Sequence, residues 1–174
     1  IGHIGYALAG VATGTISGYN STIIYISIYV VMNLGIFGCI FLMKREEKYT
    51  ENISDLSGLS KSHPLLSMAF LIILFSLAGI PPFAGFFAKF YIFMSVIENE
   101  MFTLAIIGLL STVISAFYYL RIIKIIYFDE SQQTFDEIKD IGISGTILLS
   151  CTLIVFFFLY PAVLNNIVNV LLIN

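Results

Sequence analysis

Two ionisable side chains stand inside the apolar stretches of this 174-residue chain, and their types define the chemistry it could perform. Lys89 lies in "SLAGIPPFAGFFAKFYIF", Ser76 to Phe93, seven residues after a Pro-Pro pair. His3 lies in "IGHIGY". A lysine at the centre of a bilayer costs roughly 2.5–3.5 kcal/mol on insertion scales and is retained where it has work to do. Snorkelling gives Lys89 little relief, because Ile97 is eight residues further on, ~12 Å at helical rise. An amine that gains and loses a proton in a wet channel is a proton relay, and that is the chemistry expected of Lys89. Histidine as a residue type titrates near neutral pH, so His3 joins it as a second relay candidate; alternatively it is a hydrogen-bonded core residue. Tyr6 follows at i+3 and shares the face of His3.

Other polar residues carry weaker signals. Asn33 sits in "MNLGIFG" with Gly35 and Gly38. It either bonds between helices on a packing face of small residues or lines a water chain. Ser111, Thr112 and Ser115 precede "FYYLRIIK"; Ser111 and Ser115 are possible members of a polar path, although such hydroxyls usually bond back to their own helix. Tyr118 and Tyr119 with Arg121 and Lys124 read as an interfacial anchor. His63-Pro64 is expected to start a helix. Asp55 and the Ser60/Ser62 region are expected to cap a short surface helix in the solvated stretch from Lys44 to Ser62. Paired carboxylates occur only in loops, at Glu46/Glu47, Asp129/Glu130 and Asp136/Glu137. Cys39 and Cys151 each lie in an apolar run without metal-ligand or CxxC spacing and are expected to be inert. No phosphate-cradling glycine pattern or nucleophile arrangement is present, so no cofactor or metal is expected in this chain.

The elements that must hold Lys89 and His3 are membrane helices. Mean hydropathy is +0.98, 59% of residues are hydrophobic and only 11% are charged, against about 25% in soluble domains. The net charge of −3 says nothing about nucleic acid, but with no basic patch or aromatic-basic interleaving present, no nucleic-acid partner is expected. The expected fold is an all-α integral membrane domain over residues 1–174. Its apolar segments fall at about 1–14, 22–43, 65–97, 102–128 and 141–160, and lipid is the surrounding medium. The first is short for a span of ~20 residues, which places its beginning upstream.

The third segment is far longer than one span needs and is broken near 79–85, at "GIPPFAG". Pro81 and Pro82 lack N–H donors and clash with the preceding turn. Gly79 and Gly85 permit dihedrals that helices exclude. In hydrocarbon every backbone polar group must be paired, so unwound backbone survives only where protein buries it or a watery cavity receives it. A discontinuous helix of this kind builds ion sites in transporters; the alternative is a proline kink that only shapes packing.

Charge sets the orientation. Lys44, Arg45, Lys48, Lys61, Arg121, Lys124 and Lys139 fall at one face, seven of the eight basic residues, while the loops "TISGYNS" and "ENE" carry none. The positive-inside rule then puts the N-terminus on the cytoplasmic or matrix side and the C-terminus on the opposite side. Absence of Trp and abundance of Ile suggest an AT-rich genome. The expected location is the mitochondrial inner membrane, with the bacterial plasma membrane as the alternative.

These motifs resemble a known family. "IGHIGY" resembles the Ser-x-x-His-x-Gly-Tyr pattern of the antiporter-like membrane subunits of respiratory complex I, and "SLAGIPPFAGFFAKFY" resembles their late broken helix. "FYYLRI" and a final helix ending in "YP" fit the family's tail. Lys followed by Phe-Tyr is most similar to the branch called subunit 2, or subunit N in bacteria. The resemblance implies that this chain is the C-terminal part of a proton-translocating subunit of NADH:ubiquinone oxidoreductase. It implies that Lys89 is the lysine of the broken helix, linked to an exit half-channel, and that His3 lies on a central polar axis. Flavin, iron–sulfur clusters and ubiquinone would belong to partner subunits. Other complex I membrane subunits are the implied partners, and the N-terminal helices are expected on a separate chain from a split gene, or else this chain is a fragment. The alternatives are a large subunit of a multi-subunit cation/proton antiporter or membrane-bound hydrogenase, and a structural subunit without a proton path.

Overall fold

The computed structural model describes residues 1–45, 48–49, 52–130, 135–136 and 140–159. Among these the fold is helical apart from a two-residue antiparallel ladder, β1 (Lys44–Arg45) with β2 (Lys48–Tyr49). The helices are α1 (Gly2–Ala12), α2 (Ile16–Phe41), α3 (Leu59–Ser62), α4 (Pro64–Ala78), α5 (Ala84–Glu98), α6 (Phe102–Phe128) and α7 (Ile141–Leu159). By length and composition α2 and α6 suffice to cross a membrane.

Helix α2 is the centre of the bundle, packed against α1, α4, α5 and α7, and α6 closes over α4 and α5. Two glycines permit the α2–α7 contact. A Cβ at Gly35 would lie 2.8 Å from Ile73 Cδ1 and 3.0 Å from Ser150 Cβ, and one at Gly38 would lie 2.8 Å from Ile147 Cγ1. Cys39 and Cys151 are buried and free. The outward faces of α6 and α7 are apolar and exposed, with Ile106, Val113, Phe117, Leu148 and Phe156 among them. Such faces suit lipid or further helices rather than water.

The connections gather at two ends. At one, Asn99 Nδ2 donates to Thr15 Oγ1 at 3.5 Å. At the other, Asp136 N donates to Lys44 O at 2.9 Å and Gly58 N to Ile125 O at 3.4 Å, while His63 Nε2 lies 3.2 Å from Phe135 O.

Several expectations change. "TISGYNS" is not a loop beyond Thr15: the Thr15 side chain accepts from Gly18 N at 3.2 Å, and this cap starts α2 at Ile16, six residues before the hydropathy boundary. The stretch from Lys44 to Ser62 is not simply solvated either, since Leu56 and Leu59 are buried. Neither Asp55 nor Ser60 occupies a capping position in it. A 3-10 turn (Ile53–Leu56) begins at Asn52 without a side-chain cap, and α3 begins at Gly58, whose φ of +66° suits a residue without a Cβ. His63 does precede α4, with Pro64 in the first turn, but its ring supplies no cap. Pro161, Lys139, Glu46 and Glu47 lie outside the described residues.

Candidate functional site

The interruption between α4 and α5 is built by backbone accounting. Gly79, at φ +85°, ends α4 in the left-handed region. Its N–H bonds Ser76 O at 3.0 Å, and Ile80 N bonds Phe75 O at 3.0 Å, the paired bonds of a Schellman ending. Two of the last four carbonyls are thereby satisfied. The other two, Leu77 O and Ala78 O, would in a continuous helix accept from residues 81 and 82. Those residues are Pro81 and Pro82, which have no N–H to give; the peptide bond joining them is cis.

Lys89 fills the vacated role. Its Nζ donates to Leu77 O and to Ala78 O, each at 3.1 Å, from a side chain only 5% exposed. The ammonium thus sits at the negative end of α4. Two hydrogen bonds from a charged donor contribute about 1.5–3 kcal/mol each, enough to offset the roughly 2.5–3.5 kcal/mol insertion penalty. The close approach depends on Gly79, where a Cβ would stand 3.1 Å from Lys89 Cδ and 3.2 Å from Nζ. Gly85 serves the same junction. Its N–H donates to Ser76 Oγ at 3.0 Å, and a Cβ there would collide with the Ser76 carbonyl. Ser76 Oγ also donates to Met32 Sδ at 3.0 Å, tying the junction to α2.

On its open side the Lys89 amine lies 5.3 Å from the centroid of the Tyr6 ring, within cation–π range. The Tyr6 hydroxyl pairs with Thr112 Oγ1 at 2.9 Å. One turn away, both nitrogens of His3 are engaged: Nδ1 with the Tyr25 hydroxyl at 2.8 Å and Nε2 with the Tyr119 hydroxyl at 3.0 Å. Tyr29 stacks on the imidazole at 4.8 Å between centroids and 19° between planes. His3, Tyr29, Asn33 and Tyr119 line a cleft of about 450 Å³ that continues to Met43 and Asn52 in the connection after α2.

Lys89, His3 and Tyr6 are therefore brought together with the helix interruption. Asn33 lines the cleft and donates to Tyr29 O of its own helix at 2.8 Å rather than across an interface. Ser115 is buried and bonded to Thr112 O at 2.8 Å. Ser111 bonds back to Ile107 O on an exposed face, away from the cluster. The interfacial-anchor expectation fails for Tyr119, which turns inward to His3. The site also contains Tyr25 and Tyr29, which no motif marks. Their i, i+4 spacing in "YISIY", matching His3 and Tyr6 at i, i+3 on α1, is the signal that pairs the two faces.

Residues 1–115 match the family described as NADH:quinone oxidoreductase/Mrp antiporter, TM. The chain belongs to this family. NADH-quinone oxidoreductase subunit N of Pelagibacter ubique (strain HTCC1062) is 58% identical over 169 residues, covering 97% of this chain and 36% of the relative. Subunit N of Parvibaculum lavamentivorans is 49% identical, covering 93% and 34%. This member of the NADH:quinone oxidoreductase/Mrp antiporter family thus spans about a third of the length of the curated relatives it matches. Its fold is similar to a chain of respiratory complex I from Thermus thermophilus with bound NADH, with a TM-score of 0.79 at 24% identity over 95% of this chain and 36% of that one. It is also similar to a chain of the Mrp complex from Dietzia sp. DQ12-45-1b, with a TM-score of 0.80 at 22% identity over 95% and 39%.

Proposed function

We propose that this chain is the C-terminal part of a proton-translocating membrane-arm subunit of NADH:quinone oxidoreductase, and that Lys89 is its proton-carrying group. The carrying observation is the Lys89 amine bonded to Leu77 O and Ala78 O at the helix interruption. In that position the charge on Lys89 and the geometry of the interruption are coupled. A proton on Nζ holds the end of α4, and loss of that proton weakens both bonds. Protonation of a neighbouring neutral lysine creates a second positive charge and drives the proton off Lys89 by like-charge repulsion. The unwound residues 79–83 admit water and serve as the hinge.

The α1, α2, α6 and α7 helices and the α4–α5 pair make five spans in this reading, the third discontinuous. The basic connections face the cytoplasm or matrix, with the N-terminus on that side and the C-terminus on the other. The bacterial relatives favour the plasma membrane over the mitochondrial inner membrane that composition suggests. The remaining path residues come from helices outside this chain, on a separate polypeptide or the rest of a longer one. Flavin, iron–sulfur clusters and quinone chemistry reside on partner subunits. The family match covers both subunit N and Mrp antiporters, and the 58% and 49% identity to subunit N proteins, against 22% to the Mrp chain, supports this assignment over a cation/proton antiporter. The retained cluster around Lys89 argues against a purely structural subunit.

Mass spectrometry of the complex purified in mild detergent tests the assignment. Comigration with quinone-reductase subunits is the expected result. Comigration with antiporter or hydrogenase subunits would replace the assignment, and a chain that runs alone would remove its basis.

A further inference from the structure

We infer that Tyr25 and Tyr119 are relay residues, forming with His3 a row that carries protons between the cleft and the surroundings of Lys89. The inference deepens the proposed function and rests on it.

A neutral imidazole offers one donor and one acceptor, and a phenol hydroxyl offers both. With Tyr119 on Nε2 and Tyr25 on Nδ1, the row is satisfied in either of two opposed arrangements. In the first, the Tyr119 hydroxyl donates to Nε2 and the Nδ1 proton donates to the Tyr25 oxygen. In the second, both bonds are reversed. Passing from the first to the second moves one proton. Hydronium in the cleft gives a proton to the Tyr119 oxygen while the hydroxyl proton of Tyr119 passes to Nε2. Nδ1 releases its proton to the Tyr25 oxygen, and the original Tyr25 hydroxyl proton leaves to a water on the Lys89 side. One proton enters, one leaves, and neither tyrosinate nor imidazolium is left behind. His3 ends in its other tautomer, so a second proton in the same direction waits until the row resets. A row of this kind conducts without forming an open water wire, which a pump has to avoid.

The two ends of the row differ as such a path requires. Tyr119 lines the cleft, whereas Tyr25 is 1% exposed and its ring centroid lies 6.0 Å from that of Tyr6. Beyond Tyr6 stands the Lys89 amine. The stacked Tyr29 ring restrains the tilt of the imidazole.

The test uses the whole complex reconstituted in liposomes, with protons pumped per electron measured for Tyr119→Phe, Tyr25→Phe, their double variant and Lys89→Met, at equal content of this chain. Each phenylalanine variant keeps its ring and is expected to lower the ratio toward that of Lys89→Met. Residues acting in series are strongly non-additive, so the double variant is expected to fall no lower than the weaker-pumping single. Parent ratios in both single variants alongside a defective Lys89→Met would overturn the row and leave the pump reading standing. Losses that add in the double variant would also overturn it, marking separate structural damage. A normal ratio in Lys89→Met would overturn the pump reading and the row together. If Tyr25→Phe prevents assembly, the same comparison is made with Tyr119→Phe and His3→Gln.

Discussion

At the scale of single residues, the site is defined by what is missing as much as by what is present. Pro81 and Pro82 withhold the donors that Leu77 O and Ala78 O would otherwise receive, and the Lys89 amine supplies them. Two glycines make room. Gly79→Ala places a Cβ on a residue at φ +85° and against the Lys89 side chain; the backbone term alone is about 1–2 kcal/mol. Gly85→Ala meets backbone, which yields less than a side chain, and is expected to cost about 1–3 kcal/mol as overpacking. Gly5→Ala, with nothing within 4 Å of its Cβ, is the matched control and is expected to be nearly neutral within this chain. Thermal inactivation of the three variants ranks them directly, and equal midpoints would contradict the close junction. Lys89 and the interruption are legible in the sequence because a charge and paired prolines are conspicuous in an oily run. Tyr25 and Tyr119 are not, because an aromatic residue in a membrane helix looks the same facing lipid, interface or a buried histidine until the partner helix is placed.

At the scale of elements, α4 and α5 are one span's worth of sequence divided by a five-residue segment, 79–83. Hydropathy locates the apolar stretches but misjudges the start of α2. A Thr15 cap outweighs a polar first turn, and a hydropathy window does not register caps. The connection after α2 departs from expectation for a related reason: Leu56 and Leu59 are isolated apolar residues in a charged stretch, and only their contact with the bundle reveals them as buried. Pro81→Ala combined with Pro82→Ala tests the division itself. It restores N–H donors at the two positions that Leu77 O and Ala78 O lack, so the backbone competes with Lys89 for its acceptors. The new alanine amides at residues 81 and 82 are expected to be protected from exchange, and the proton-to-electron ratio to fall. Protected amides with unchanged pumping would show that the amine does not need those carbonyls.

At the scale of the whole molecule, the grouping of connections at two ends fits the charge asymmetry read from the sequence. Cysteine accessibility in sealed vesicles checks the topology. Ser54→Cys and Glu98→Cys are both exposed positions at opposite ends, while the native Cys39 and Cys151 are buried. Labelling of Ser54→Cys from the cytoplasmic or matrix side and of Glu98→Cys from the other is the expected pattern; labelling of both from one side would refute the five-span arrangement. The exposed apolar faces of α6 and α7 and the cleft beside His3 are the surfaces that the proposed assignment leaves for further helices or lipid.

The central claim is that Lys89 carries the proton. The most direct measurement is proton translocation per electron by the reconstituted complex carrying Lys89→Met. Methionine is apolar and similar in length, so removal of the buried charge relieves the insertion penalty while leaving two carbonyls without their donor, and these opposing terms of a few kcal/mol keep the net stability change small. The account predicts an assembled complex whose translocation through this subunit falls by at least about tenfold, a conservative bound beside the usual loss of a proton-transfer group. An assembled Lys89→Met complex that pumps at the parent ratio would contradict it.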